Sequence, residues 1–224
     1  MARNVKAPLA ACFACVLALG LLVVFTFGVD ASRHLDARLF FSLAEHRHST
    51  AGSWGNVIAA LGDLGVLLGM LAIACAIALP RGRPSDALAA VLVVAGANVT
   101  TQLLKILLAH PRVKTAIGGD PFESNTFPSG HTTSAASIAI AYAFVVPARL
   151  RELTQALSVA IALAVGCSVV VIGWHRPSDV LGGLLIAAGW GFAVLAARRA
   201  IASRASPSTV RGRQSPSPAA ISVK

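Results

Sequence analysis

The sequence predicts an all-α fold, an integral membrane bundle of about six transmembrane helices with both termini in the cytoplasm. Hydrophobic residues make up 56% of the 224 residues, and the mean hydropathy is +0.73. Charged residues make up only 12%, about half of the roughly 25% that soluble domains carry. These charges are concentrated in short segments between long apolar stretches. An ordinary soluble domain is therefore excluded.

Six apolar stretches approach the roughly 20 residues that a helix needs to cross a bilayer. They cover approximately residues 9–29, 54–79, 87–109, 131–147, 154–173 and 180–197. The fourth stretch is short, and we expect the loop before it to extend it. The first has about 20 apolar residues, more than the roughly 7–15 of a signal-peptide core, so we expect it to remain as a span. We assign residues 1–200 to one six-span membrane domain.

The positive charges predict the orientation of the helices. If every stretch crosses the membrane, 12 of the 19 Lys and Arg residues fall on one face, which the positive-inside rule makes cytoplasmic. These twelve are Arg3, Lys6, Arg81, Arg83, Arg149, Arg151 and six more from Arg198 to Lys224. The loops at 30–53, 110–130 and 174–179 then lie outside. Because this asymmetry explains the net charge of +10, we expect no nucleic-acid partner.

The outer loop at 30–53 contains a helical pattern of apolar residues. Its members are Leu35, Leu39, Phe40 and Leu43, while Arg33, Asp36, Arg38 and Glu45 occupy other positions. The pattern is typical of a short helix lying on the outer leaflet. A plain connector, a lid and a route by which lipid reaches the bundle all remain open as its role.

The last segment, residues 201–224, is rich in Ser, Pro and Arg and almost lacks large apolar residues. Such a segment cannot bury enough apolar surface to fold. We expect a disordered cytoplasmic tail whose arginines contact anionic lipid headgroups.

The third stretch carries polar residues at the spacing of one helix face, and we expect this face to point into the bundle. They are Asn98, Thr101, Gln102 and Lys105. Lys105 lies about 6 Å below the outer end of the helix, and Arg112 follows seven residues later. An ammonium and a guanidinium converging on one place suit a phosphate. Taken alone, the two residues also fit a snorkelling lysine and an arginine that binds headgroups.

Two short polar segments stand immediately before the fourth and sixth stretches, Phe127–His131 and Trp174–Asp179. In the first, we expect Ser129, Gly130 and His131 to form the first turn of a helix. The free amides and positive end of such a turn bind anions. The serine adds a hydroxyl donor, the glycine allows close approach and the histidine offers a proton.

The second polar segment pairs a histidine with a carboxylate. Pro177 is well placed to begin a helix, which puts His175 just before it and Asp179 in its first turn. A carboxylate beside an imidazole sets its tautomer and raises its basicity. A nucleophilic histidine requires both effects.

Together these elements resemble the three signature motifs of the type 2 phosphatidic acid phosphatase family. The matching residues are Lys105-x6-Arg112, Pro128-Ser129-Gly130-His131 and His175-x3-Asp179, and the resemblance covers residues 54–197. It implies a six-span membrane phosphatase domain with an extracytoplasmic active site and no metal or other cofactor. The implied substrate is a lipid phosphate or a polyprenyl pyrophosphate. The enzyme would bind it from the surrounding membrane lipid of the cell envelope.

The resemblance also implies a role for each motif residue. His175 would be the nucleophile that forms a phosphohistidine intermediate, Asp179 would orient it, and His131 would protonate the leaving oxygen. Four groups would hold the phosphoryl oxygens, namely Lys105, Arg112, Ser129 and the amide of Gly130. Such charge stabilisation is usually the largest catalytic contribution.

The sequence departs from the family pattern at two positions. Val113 stands where the first motif usually has proline, and Val169 stands where the third motif has an arginine that binds phosphate. Arg176 or Lys114 would have to supply the missing cation, and we favour Arg176. The departure leaves a catalytically degenerate homologue open as an alternative to the hydrolase, beside a lipid phosphotransferase using the same site.

Asp63 is the remaining charge inside an apolar stretch. It could pair with Lys105 or with a hydroxyl of a span. We favour a third alternative, in which it stays protonated and has a structural role. A transporter would predict polar residues continuing across the bilayer, whereas apart from Asn98 and Asp63 they cluster at the outer ends of the spans. A scaffold gives no reason for two histidines at two helix ends.

Overall fold

The computed structural model describes residues 4–108 and 127–204, and nearly all of these residues are helical. The described residues contain eight α-helices and no strand. The helices are α1 (Lys6–Gly28), α2 (Asp30–Ala44), α3 (Thr50–Ala59), α4 (Leu64–Ala78), α5 (Pro84–Leu107), α6 (Gly130–Val145), α7 (Arg151–Val171) and α8 (Pro177–Arg204).

Five helical segments are long and apolar enough to cross a bilayer, and they contain α1, α4, α5, α7 and α8. At 16 residues, α6 rises about 24 Å, less than the roughly 30 Å of a hydrocarbon core. It nevertheless lies at the centre of the bundle, where it contacts α4, α5, α7 and α8. The predicted all-α membrane bundle is confirmed.

The composition of α6 explains its central place. Every residue from Thr132 to Ser137 is buried, and all six are Ala, Ser or Thr. Small residues let helix backbones approach closely in a membrane, where apolar side chains gain little by leaving lipid. α1 lies at the periphery of the bundle. It packs against α8, but in contrast to α6 it leaves large apolar side chains such as Phe13 and Leu21 exposed.

The second predicted span is not one helix, so the prediction of a continuous helix over 54–79 was wrong. α3 ends at Ala59, a 3₁₀ turn covers Ala60–Gly62, and α4 begins at Leu64. Asp63 between them has extended backbone, with φ −66° and ψ 150°. Gly62 packs so tightly on α6 that an added Cβ would lie 2.7 Å from the His131 Cβ. The break therefore allows the start of α6 to pack against this turn.

The predicted helix of this segment is present as α2, and the face that it buries against the protein is not the face of the leucines. Leu35, Leu39 and Leu43 are exposed, whereas Asp36, Phe40 and Ala44 are buried. In α5, likewise, Gln102 is exposed and does not face the bundle as expected. Side chains that find polar partners across a helix interface, and not apolar spacing alone, decide which face turns inward.

The end of the bundle far from the polar segments carries an ion-pair cluster. Asp86, in the first turn of α5, is buried and pairs with Arg83 and Arg198. α8 continues through Arg204, beyond the domain boundary expected at residue 200. The rest of the predicted tail lies outside the described residues.

Candidate active site

Three helix ends meet at one end of the bundle. The last turn of α5 carries Lys105, the first turn of α6 carries His131, and His175 lies in the loop just before α8. The break between α3 and α4 brings Asp63 to the same place. α6 runs antiparallel to α5, since Thr101 contacts Thr133 and the earlier Asn98 contacts the later Ser134. The start of α6 therefore lies beside the end of α5.

His175 is held by its backbone and by its imidazole. The amides of Trp174 and His175 both donate to the carbonyl of Val169, at 2.9 Å and 3.0 Å. The imidazole Nδ1 lies 3.4 Å from Asp179 Oδ2, and the side chains are 9% and 0% exposed. The same carboxylate oxygen accepts the amide of Arg176 at 2.9 Å. Asp179 thus occupies Nδ1 of the ring and leaves Nε2 for another partner.

His131 faces His175 across a short gap. The two ring centroids are 6.4 Å apart, and the His131 ring lies 5.3 Å from the Trp174 ring. His131 Nε2 is 3.1 Å from Asp63 Oδ1, with the two side chains 27% and 57% exposed. Each imidazole therefore has its own carboxylate partner. Asp63 pairs with this histidine and not with Lys105 or a hydroxyl of a span, the partners expected from the sequence.

The first turn of α6 has the features of an anion site. Ser129 is the N-cap, and its Oγ accepts the amide of Thr132 at 3.3 Å and the Thr132 hydroxyl at 3.0 Å. A Cβ added to Gly130 would lie 3.6 Å from Lys105 Nζ, so the ammonium sits beside this turn. The positive end of the helix and the ammonium together favour a bound anion.

Hydrogen bonds between α5 and α6 hold Lys105 in register with this turn. Thr101 Oγ1 donates to Thr133 Oγ1 at 3.0 Å, and Thr133 Oγ1 donates to the carbonyl of Ser129 at 2.8 Å. One turn deeper, Asn98 accepts a hydrogen bond from Ser134 at 2.9 Å. The polar face predicted for this helix is therefore confirmed for Asn98 and Thr101.

Two glycines of α8 allow the two histidine-bearing helix ends to approach. A Cβ at Gly182 would lie 2.9 Å from the Phe127 ring, and one at Gly183 would lie 2.9 Å from the Ser129 carbonyl oxygen. The Ser129 amide also donates to the Asp179 carbonyl at 2.9 Å. This backbone contact joins the start of α6 to the start of α8 and fixes the spacing of the imidazoles.

The structure describes only some of the cations predicted to bind phosphate. Arg112 and Lys114 lie outside the described residues, while Arg176 lies next to His175 and joins the site through its backbone amide. Val169, where the family pattern has an arginine, is fully buried in an apolar cluster with Ala59 and Ile172. The place of the missing arginine is thus filled by the packing of α3 on α7.

Asp36 on α2 has a role at this site that its sequence pattern did not predict. Its carboxylate accepts the amide of Ser178 at 3.0 Å and the Ser178 hydroxyl at 2.9 Å, so it caps the first turn of α8 from another helix. One signal for this role was present in the sequence. Asp36, Phe40 and Ala44 recur every four residues, as residues of one helix face do, and this face is the buried one. α2 is therefore anchored to the start of α8, three residues after His175.

Comparisons with known proteins agree with this geometry. The sequence profile of the PAP2 superfamily matches residues 86–202, just over half of the chain. A crystal structure described as the first transmembrane PAP2-type phosphatidylglycerolphosphate phosphatase, from Bacillus subtilis, has a TM-score of 0.74 at 24% identity and covers 85% of this chain and 97% of its own. The structure of LpxE from Aquifex aeolicus has a TM-score of 0.58 at 25% identity, covering 72% and 94%. No protein of curated function matches.

Proposed function

Since the chain belongs to the PAP2 superfamily and has the fold of membrane lipid phosphatases, we propose that it hydrolyses a lipid phosphate or a polyprenyl pyrophosphate. The reaction would proceed through a phosphohistidine on His175 without a metal ion. One observation carries the proposal, the pair of imidazoles whose centroids are 6.4 Å apart beside the ammonium of Lys105. A nucleophile, a proton donor and an anion site are then within reach of one phosphoryl group.

In the first step, His175 Nε2 attacks phosphorus. The N–P bond forms while the P–O bond to the leaving group breaks, and His131 gives a proton to the departing oxygen. Asp179, hydrogen-bonded to Nδ1, stabilises the positive charge that develops on the nucleophilic ring. Burial of this carboxylate strengthens the effect because little water screens it.

In the second step, water attacks the phosphohistidine. His131 takes a proton from the water as the new P–O bond forms, and the N–P bond breaks to release inorganic phosphate and restore His175. Throughout, Lys105 and the Gly130 amide would hold the phosphoryl oxygens together with Arg112, Ser129 and Arg176. Fixed donors of this kind cost no reorganisation when charge develops.

We further propose that the site faces the outside of the cell membrane, with both termini in the cytoplasm. The cluster of Arg83 and Arg198 lies at the opposite end of the bundle from the histidines, in agreement with the positive-inside rule. A protease added to intact spheroplasts should therefore spare an epitope tag on the C-terminus. Digestion of the tag there would contradict this orientation.

The activity is tested with purified protein in detergent micelles containing EDTA. Phosphate release is measured from phosphatidic acid, phosphatidylglycerolphosphate and undecaprenyl pyrophosphate. We expect turnover of at least one of them, and a loss of at least about 10³-fold in His175→Ala because the nucleophile is gone. The matched control His34→Ala removes an exposed histidine of α2 and should keep full activity.

Two outcomes would count against the proposal. Unchanged turnover in His175→Ala would refute the nucleophile, and a wild-type protein that releases phosphate from no substrate would fit the degenerate homologue with Val169. If phosphate is transferred to an added lipid alcohol and not released, the protein is a phosphotransferase acting through the same intermediate.

A further inference from the structure

Asp63 makes a contact that no sequence motif accounts for. Its Oδ1 lies 3.1 Å from His131 Nε2, and 68 residues separate the two in the chain. A carboxylate cannot donate when ionised, so the ring must donate its Nε2–H to the oxygen. The contact therefore keeps a proton on Nε2, in the neutral ring as well as in the imidazolium, and excludes the neutral tautomer with its proton on Nδ1.

The break between α3 and α4 places this carboxylate at His131. Without the 3₁₀ turn at Ala60–Gly62, the apolar segment from residue 50 to 78 would continue as one helix. Instead Gly62 lies against the backbone of α6, where an added Cβ would be 2.8 Å from the His131 Cα. The next residue, Asp63, is exposed to the gap between the helix ends and is the N-cap of α4.

We propose that Asp63 is a positioning residue for His131, and this inference rests on the proposed function. Its carboxylate holds Nε2–H, so that Nδ1 becomes the nitrogen that gives a proton to the leaving oxygen. His175 has the reverse arrangement, because Asp179 occupies Nδ1 and leaves Nε2 for phosphorus. The two carboxylates thus assign one ring as proton donor and the other as nucleophile.

The charges around His131 show why such a partner is needed. The groups that face the ring are Asp63 at the start of α4, His175 in the loop before α8 and Lys105 at the end of α5, together with the Trp174 ring. Partial burial of the ring opposes a positive charge on it most strongly, and the ammonium of Lys105 opposes it as well. Asp63 is the facing carboxylate that favours the imidazolium form, which a general acid must adopt before each turnover.

The test compares two leaving groups in Asp63→Asn. The quantity compared is kcat/KM, which covers the steps up to the phosphohistidine and excludes the second step, where His131 acts as a base on either substrate. Release of phosphate from phosphatidic acid requires protonation of an alkoxide, and we expect its kcat/KM to fall about 10- to 100-fold, a fraction of what a general acid contributes. p-Nitrophenyl phosphate releases a stable anion without a proton donor, so its kcat/KM should fall less than about threefold. With phosphatidic acid, the alkaline limb of the kcat/KM profile should move to lower pH, because the proton on His131 is held less strongly.

Matched variants separate positioning from folding. Asp30→Asn removes an exposed carboxylate whose pKa is lowered by its hydrogen bond to Arg33, and it should change neither kcat/KM nor the pH profile. Asp63→Glu should restore part of the lost kcat/KM. In a His131→Ala background, Asp63→Asn should cost nothing further, because the ring through which it acts is absent.

Several results would overturn the inference. Equal losses on both substrates, an unmoved alkaline limb, or a full additional loss in the His131→Ala background would each show that Asp63 does not act through His131. If wild-type protein is active and Asp63→Asn equals it, only this inference fails. If wild-type protein hydrolyses neither phosphatidic acid nor any other lipid phosphate, the proposed function fails and this inference fails with it.

Discussion

The two histidine–aspartate pairs at the helix ends differ in burial and in the distance between partners along the chain. His175 and Asp179 are four residues apart, and their side chains are 9% and 0% exposed. His131 and Asp63 are 68 residues apart, and their side chains are 27% and 57% exposed. The buried pair is built into one helix start, whereas the exposed pair joins two helices.

This difference suggests different roles for the two pairs. A buried carboxylate with two donors keeps one geometry and interacts strongly with its histidine. A half-exposed carboxylate interacts more weakly because water screens it. The pair at α8 therefore suits a nucleophile that must keep one orientation, and the pair at α6 suits a ring that must exchange a proton with substrate and water.

The largest effect that tests this comparison is expected for Asp179→Asn. The asparagine amide can donate to His175 Nδ1 and favour the tautomer whose lone pair faces away from phosphorus, so kcat should fall by about 10²–10⁴. The loss should exceed that of Asp63→Asn measured in the same phosphate-release assay. Equal losses in the two variants would break the proposed division between the pairs.

A smaller effect is expected for Gly183→Ala, which changes the spacing of the pairs but neither pair itself. The added Cβ would lie 2.9 Å from the Ser129 carbonyl oxygen, and we expect overpacking to cost about 1–3 kcal/mol. Separation of the helix ends should also lower kcat by up to about 100-fold. Thermal unfolding and phosphate release measure the two effects.

The control for this variant is Gly69→Ala on α4, where no heavy atom lies within 4 Å of an added Cβ. It should keep full activity and gain up to about 1 kcal/mol from the better helix propensity of alanine. If Gly183→Ala behaves like this control, the close contact of α6 and α8 does not set the spacing of the imidazoles.

Much of the fold and part of the site could be predicted because they depend on local pattern. Apolar length located α1, α5, α6 and α7 within a few residues at both ends, whereas α8 extends past its predicted end to Arg204. The pairing of His175 with Asp179 follows from a spacing of four residues at a helix start. Asn98 and Thr101 face the bundle as their spacing indicates. The missing arginine was also visible, since Val169 is read directly from the sequence.

Other features escaped prediction because they depend on contacts between distant segments. The break at Asp63 lies in a stretch whose hydropathy suits one long span, and only the backbone of α6 against Gly62 explains it. The sequence placed Asp36 only among the polar positions of a surface helix, because its partner Ser178 is 142 residues away. Gln102 shares the helical spacing of its neighbours but lies exposed.

The sequence by itself determined the class of the protein, since its hydropathy requires membrane helices and its polar residues can be accommodated only at helix ends or inside a bundle. It also determined which groups are available for chemistry. Only the tertiary structure decided which carboxylate partners His131, because a hydrogen bond needs atoms within about 3 Å and helix packing sets that distance. The same packing, through Gly62 and Gly183, brings the two imidazoles to one place.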